Sequence, residues 1–398
     1  MIDPTVAHFK KPLPRRDWFL LPAVGLVTIV VLVAATELLA RFFFPASTAE
    51  VGHCFSFKNS DEGVLGIPNC VCHDKRADEP QLVEYRLNPC GHRSELACGS
   101  KPPATYRIVL VGSSIAFGPG VAREATYSAT LPVELSRLTG RNVDLYNEGT
   151  FGALPFHNMA SHFDEIQAAR PDMILWIIGV YDVEAKATQE QANLIAAQSL
   201  QPATEKASFW DRITDALEPH ALKTEILEAL SKPRAAVVFR AFVSQHESEK
   251  DFLSSYLANR DLEAGFLKVQ PSEHWIQNES VFAAYARDVA QQAQAAHIPL
   301  VAVFAPNAAH AEMISLGALS PDYDPYRLDQ ELQSVFTRNG GTFIDILPDF
   351  RSVQNPRQYF FPVDGHPNAR GHALLERMLA GEMSKLPSVT VAPQKNAP

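Results

Sequence analysis

The stretch YRIVLVGSSIAFGPGV, Tyr106 to Val121, decides how the fold is read. Its first seven residues make a largely apolar run rich in β-branched side chains; the run stops at Gly112 and two hydroxyls follow at once. That pattern predicts a buried strand entering a tight turn. In a parallel sheet, ligands and catalytic groups collect at the carboxyl ends of strands, so Ser113 and Ser114 stand where a nucleophile would be placed. Gly112 lets the chain turn without a Cβ clash, and the turn leaves backbone N–H groups unpaired beside the serine. Taken alone, the stretch is more simply a core strand followed by a glycine-serine loop, and the rest of the chain has to decide.

Downstream, Thr126 to Leu138 reads as a helix with Leu131, Leu135 and Leu138 on one face. Val143 to Asn147 reads as a second strand ending in NEGTFG. Met173 to Ile178 reads as a third, announced by Pro171 and Asp172 and ended by Gly179. Strand and helix alternating at this spacing predict a parallel sheet covered on both faces. From Glu184 to Gln277 the pattern is polar, helical and broken by Pro202, Pro219, Pro233 and Pro271, which suits a lid, a helical subdomain or surface helices equally. Alternation returns with a helix marked by Phe282, Tyr285, Ala286, Val289 and Ala293 and a strand at Leu300 to Ala305. A helix marked by Leu328, Leu332, Val335 and Phe336 and a strand at Thr342 to Leu347 follow. After Pro387 the chain lacks periodicity and is expected to be disordered.

The closing stretch FFPVDGHPNARGHALL, Phe360 to Leu375, supplies a partner for the serine. A carboxylate two positions before an imidazole, Asp364 before His366, can accept one ring N–H and leave the other nitrogen free to act as a base. Asp and His also cap surface helices, and Pro367 is well suited to start one. Combination favours chemistry. A serine after the first strand and an Asp-His pair after the last can meet at one edge of one sheet as nucleophile, base and orienting acid.

The chain of 398 residues is globular in composition, and its formal net charge of -10 argues against nucleic-acid binding. Near the amino end, Trp18 to Thr36 carries no charge, and apolar character continues to Phe44. At about 1.5 Å per residue the uncharged part nearly spans a hydrocarbon core of about 30 Å. Lys10, Lys11, Arg15 and Arg16 precede it, which orients the amino terminus toward the cytoplasm and the bulk of the chain toward the periplasm or exterior. An uncleaved anchor suits this length better than a signal peptide, whose only small-residue site, Ser47 to Ala49, is weak. All five cysteines, Cys54, Cys70, Cys72, Cys90 and Cys98, lie between the anchor and the first strand. In an oxidising compartment they suggest one or two disulfides with one thiol left over, Cys90 to Cys98 first. CVCH and CGH put zinc-ligand types close together around His73 and His92, but no pair has CxxC spacing, so zinc ranks below disulfides, and CVCH is one residue short of a haem attachment motif.

Taken in order, these blocks resemble the SGNH hydrolases, the GDSL esterase and lipase family, over residues 104 to 385. The Gly-Asp-Ser block is similar to Gly112-Ser113-Ser114 and makes Ser114 the nucleophile. Asn147 and Gly152 match the second block, which implies the Gly152 N–H as an oxyanion donor beside that of Ser114. Gly179, Val180, Tyr181 and Asp182 match Gly-x-Asn-Asp in part, and Tyr181 holds the place of the usual oxyanion Asn. Asp364 and His366 match the last block, with Asp345 a second candidate for the acid. Tyr85, Asn88 and Arg93 resemble residues of membrane-anchored bacterial members. The α/β-hydrolase fold is disfavoured, since the serine lacks a GxSxG elbow.

The resemblance implies a three-layer α/β/α sandwich with a mainly parallel, flavodoxin-like sheet, preceded by one transmembrane helix. The parts are expected to be a cytoplasmic stretch 1–17, an anchor 18–44, an irregular Cys-containing segment 45–103, a hydrolase-like domain 104–385 with 184–277 as insertion or lid, and a disordered tail 386–398. Expected partners are an ester or acylated-glycan substrate and, through 18–44, a membrane. The implied activity is hydrolysis of carboxylic esters through an acyl-enzyme, with no metal or organic cofactor. A polysaccharide O-acetyltransferase using the same triad is the alternative, because Ser113 replaces the usual Asp. A binding protein that has lost turnover is a third, because Tyr181 replaces Asn and one lost oxyanion donor costs about 100- to 1,000-fold in rate. His157, His162 and His372 are read as structural or substrate-edge residues.

Overall fold

The computed structural model of the protein describes residues 16–44, 51–59, 63–75, 81–99, 101–151, 159, 163–184, 233–259, 264–317, 320–363 and 365–390. Five parallel strands form the central sheet: β5 (Tyr106–Gly112), β6 (Val143–Asn147), β7 (Met173–Ile178), β8 (Leu300–Phe304) and β9 (Thr342–Ile344). Their order is β6-β5-β7-β8-β9, so the chain steps outward from β5 in one direction and then crosses back, the flavodoxin-like arrangement. That reversal puts the carboxyl end of β5 at the switch point, where open α/β sheets bind their ligands.

Helices α3 (Tyr127–Thr139) and α10 (Ala369–Met383) pack together on one face. On the other, α7 (Glu273–Ala295) and α9 (Arg327–Arg338) pack together, and Trp176 of β7 meets Phe282, Tyr285 and Phe336 with ring centroids 5.7, 5.8 and 5.4 Å away. β7 is buried at every residue, as expected of an interior parallel strand. Arg107, inside the otherwise apolar β5, is also fully buried. Its guanidinium forks onto Asp144 of β6, at 2.9 Å from Nε and 2.7 Å from Nη2, which satisfies a charge that an interior strand could not otherwise hold.

The sequence pattern locates the strands closely and the ends less so. Leu138 is 44% exposed while Leu131 and Leu135 are buried, because Gly140 in the left-handed region ends α3 just beyond it. β9 is shorter than its apolar run, since Asp345 turns the chain by accepting the Leu347 N–H at 3.0 Å. The tail expected to be disordered contains a helical turn, α11 (Pro387–Thr390), that buries Val389 and receives Arg141 on the Ser388 and Val389 carbonyls at 3.2 and 2.8 Å. Of the proline-broken region, residues 185–232 lie outside the described residues. Its described part holds α5 (Arg234–His246), α6 (Glu249–Asn259) and the start of α7.

A helix α1 (Asp17–Phe43) is long and apolar enough to cross a membrane, and its side chains are almost all exposed. The segment after it is less irregular than expected. It forms two antiparallel hairpins, β1 (Phe55–Asn59) with β2 (Gly63–Gly66) and β3 (Val71–Asp74) with β4 (Val83–Arg86). Cys54 is joined to Cys70 and Cys90 to Cys98, leaving Cys72 as a buried thiol. The hairpins enclose a second small core of Val51, Cys54, Phe55, Cys72, Val83, Tyr85 and Leu87, which ends against Phe117 in the turn after β5.

Candidate active site

Ser114 opens a single helical turn, α2 (Ser114–Phe117), directly after β5. Gly112 has φ +153°, and a Cβ there would stand 2.7 Å from both the Ala116 Cβ and the Ile177 carbonyl oxygen, so only glycine permits so abrupt a change of direction. At the far end of the domain, the loop before α10 folds back on itself. The Phe361 N–H donates to the His366 carbonyl at 2.8 Å and the Gly365 N–H to the Phe361 carbonyl at 2.9 Å, with Gly365 at φ +82°. Asn368, not Pro367, starts the helix, accepting from the Arg370 and Gly371 N–H groups at 2.9 and 3.1 Å.

These two ends meet. His366 Nε2 lies 2.6 Å from Ser114 Oγ across 252 positions of sequence. Both residues are partly exposed, so a substrate can reach them. With Nε2 on the hydroxyl, Nδ1 is the nitrogen left for an orienting acid. Asp364, the residue expected there, lies outside the described residues, as do Gly152, His157 and His162. Asp345, the other candidate acid, caps the turn after β9, and its carboxyl is pushed up chiefly by burial and further by Asp349.

Three segments hold the turn that carries Ser114 from behind. From the second strand's loop, Asn147 donates to the Ala116 carbonyl at 3.0 Å and accepts the Gly149 N–H at 2.7 Å, while the Thr150 N–H reaches the Gly112 carbonyl at 3.0 Å. Gly149 packs so closely that a Cβ would stand 2.7 Å from the Phe117 nitrogen and the Ala116 Cβ. From the third strand's loop, Asp182 accepts the Gly179 N–H at 2.6 Å and a hydrogen bond from Ser113. Burial pushes its carboxyl up to about 7, and those two donors oppose the shift. Tyr181 beside it is 44% exposed.

The third brace is Arg93, which is buried and donates to the carbonyls of Phe117, Gly118 and Val121 at 2.9, 2.6 and 2.6 Å. Its guanidinium lies over the rings of Tyr85 and Phe117, 4.6 and 5.0 Å from their centroids. Tyr85 donates to Asp74 at 2.6 Å and accepts the Gly120 N–H at 2.6 Å. Burial lowers the guanidinium to about 10, with Tyr85 acting the other way, so it remains charged at neutral pH. Resemblance pointed to Tyr85 and Arg93, but Asp74 carried no sequence signal. His372 faces the back of the same turn. It stacks on Tyr127 with centroids 5.1 Å apart, accepts the Tyr127 N–H at 3.3 Å, and is pushed down to about 3 by burial, Arg93 and His366. It stays neutral and structural.

Among the described residues, no group of three or more His, Cys, Asp or Glu side chains is placed to hold a metal ion. The arrangement provides a hydroxyl, a base at its oxygen, and a helix-opening N–H at the serine itself.

No family model matches the chain, and no curated protein is similar to it. Solved structures similar to it include an acetylxylan esterase from Geobacillus stearothermophilus, a catalytic mutant, at 11% identity, with 73% of this chain and 97% of that one covered and a TM-score of 0.36. The lipase/acylhydrolase from Enterococcus faecalis is similar at 11% identity, with 70% and 95% covered and a TM-score of 0.34. A member of the lipolytic protein G-D-S-L family from Veillonella parvula is similar at 11% identity, with 71% and 100% covered and a TM-score of 0.33.

Proposed function

We propose that this chain is a membrane-anchored serine hydrolase that cleaves carboxylic esters on the far side of the cytoplasmic membrane through an acyl-enzyme. The observation that carries the reading is the 2.6 Å approach of His366 Nε2 to Ser114 Oγ at the sheet's switch point. His366 takes the hydroxyl proton as Ser114 Oγ bonds to the ester carbonyl carbon. The negative charge that moves to the carbonyl oxygen is met by the N–H of Ser114, which opens α2, with Gly152 and the Tyr181 hydroxyl as the other donors. Collapse of this adduct expels the alcohol, which takes its proton from His366, and leaves the acyl group on Ser114. Water, deprotonated by His366, then attacks that carbonyl; the bond to Ser114 Oγ breaks, Oγ takes the proton back from His366, and the acid is released. Asp364 holds the His366 tautomer through Nδ1. The two disulfides support the oxidising side of a membrane, and the apolar α1 with the basic residues before it supports the same side for the domain.

A fluorophosphonate probe tests this on the detergent-solubilised full chain. Labelling of the wild type that disappears in Ser114→Ala and falls strongly in His366→Ala is expected; equal labelling of wild type and Ser114→Ala removes Ser114 from the mechanism.

A further inference from the structure

Helix α5 is joined to α1 by a cap. The Glu37 carboxylate accepts the Arg234 and Ala235 N–H groups, each at 2.9 Å, and is itself held by Arg41 at 2.7 Å. Two of the amides that open α5 therefore sit at the height of Glu37 on α1. The uncharged run of α1, Trp18 to Thr36, rises about 28 Å and so fills a hydrocarbon core of about 30 Å. Glu37 then falls at the outer boundary of that core, and Leu38 to Phe44 pass through the headgroup layer.

α5 also carries an apolar stripe that, among the described residues, is touched by the His246 ring at Phe242 and otherwise left largely exposed. Phe239, Phe242 and Val243, three and four positions apart on one side of the helix, are 68%, 59% and 39% exposed. Along the helix axis Phe239 is at most about 8 Å, and Val243 at most about 14 Å, from the height of Glu37, whichever way the helix points. Phe42 and Phe43 of α1, and Phe44 just after it, are exposed at the same end. The other end of α5 is not loose. Arg357 donates to the Glu247 carbonyl at 2.7 Å, and the turn it occupies leads directly into the loop that carries His366.

We propose that the stripe of α5 docks into the headgroup and acyl boundary of the bilayer that α1 crosses, holding the candidate active site against the membrane surface. The proposal rests on α1 being a membrane span. Lipid is the occupant that the continuity argues for: the helix begins at the hydrocarbon boundary and presents its large apolar side chains within about 14 Å of it. An aromatic collar from α1 and α5 at that level is the side-chain type such a boundary selects.

Photo-cross-linking of the full chain in phosphatidylcholine–phosphatidylglycerol vesicles containing an alkyne-tagged phospholipid tests both parts. A benzophenone amino acid is placed singly at Phe239, at Phe242, at Leu32 in the middle of α1, and at Val133, exposed on α3 in the catalytic domain. Lipid adducts at Phe239 and Phe242 within about threefold of the Leu32 yield and at least about tenfold above Val133 are expected. A strong Leu32 adduct with Phe239 and Phe242 at the Val133 level leaves the span standing and overturns the docking. Chain-to-chain adducts at Phe242 without lipid assign the stripe to a second copy and overturn it as well. Absence of a Leu32 adduct removes the span, and the docking with it.

Discussion

Arg93→Ala tests whether the segment ahead of the sheet holds the chemistry in place. The substitution removes three short hydrogen bonds to carbonyls of the nucleophile turn and the stacking on Tyr85 and Phe117. At about 1 kcal/mol net for each hydrogen bond and about 1 kcal/mol for the cation over two rings, the loss is about 4 kcal/mol. For a domain of this size that lowers the unfolding midpoint by roughly 10 °C. The turn that carries Ser114 also loses the group that fixes its carboxyl end. Its displacement by a fraction of an ångström is expected to lower kcat for p-nitrophenyl acetate by about 10- to 100-fold with little change in KM. Arg93→Lys keeps the charge without the planar fork and should recover part of the stability and less of kcat. Differential scanning fluorimetry and steady-state kinetics on the full chain in detergent read both quantities. An Arg93→Ala protein that unfolds within about 1 °C of wild type and turns over at the same rate would show that the three carbonyls find equivalent partners in water, and the bracing argument would fail.

Gly149→Ala should lower kcat/KM at least about tenfold while the chain still folds, since a Cβ 2.7 Å from the Phe117 nitrogen forces the second strand's loop off the nucleophile turn; unchanged kinetics would refute that packing. Tyr181→Phe removes one hydroxyl and, if that hydroxyl donates to the oxyanion, should lower kcat about 10-fold or more at constant KM; an unaltered kcat takes Tyr181 out of the mechanism. Asp329, buried and raised to about 8 by burial and by Asp345, gives a pH test. Between pH 4 and 8 the folded chain keeps a proton on this carboxyl that the unfolded chain has released, so this group's contribution to stability falls as pH rises through that window. Asp329→Asn has no proton to lose. It should flatten the dependence and be more stable than wild type at pH 8 by on the order of 2 kcal/mol, read from urea unfolding at pH 5.5 and 8; parallel curves for the two proteins would contradict the assignment.

The strands and the two residues that meet at the site, Ser114 and His366, were legible because their signals are local. β5, β7 and β8 are apolar runs buried on both faces, and Ser114 and His366 each sit in a short block beside a turn glycine. Contacts that join distant segments leave no such trace. Nothing periodic in the sequence says that Arg93 crosses 24 to 28 positions to the nucleophile turn, or that Glu37 meets Arg234 across 197. The hairpins were missed for a related reason. Their strands are four or five residues long and lie beside cysteines and prolines, so alternation is too brief to register, and the disulfides supply order that hydrophobic patterning does not.

The bracing also explains how a single helical turn can hold Ser114 against His366. A helix as short as α2 has no stability of its own, because nucleation costs more than one turn of hydrogen bonds returns. Its shape has to be imposed from outside. Asn147 takes the Ala116 carbonyl, Arg93 takes those of Phe117 and Gly118, and Ser113 is tied to Asp182, so each side of the turn is held by a different segment. These bonds consume the acceptors at the turn's carboxyl end. The Ser114 N–H, the proposed oxyanion donor, lies at its amino end. Ser113 suits this arrangement physically. A carboxylate there would face the already destabilised charge of Asp182, whereas a hydroxyl donates to it and opposes the rise in its pKa.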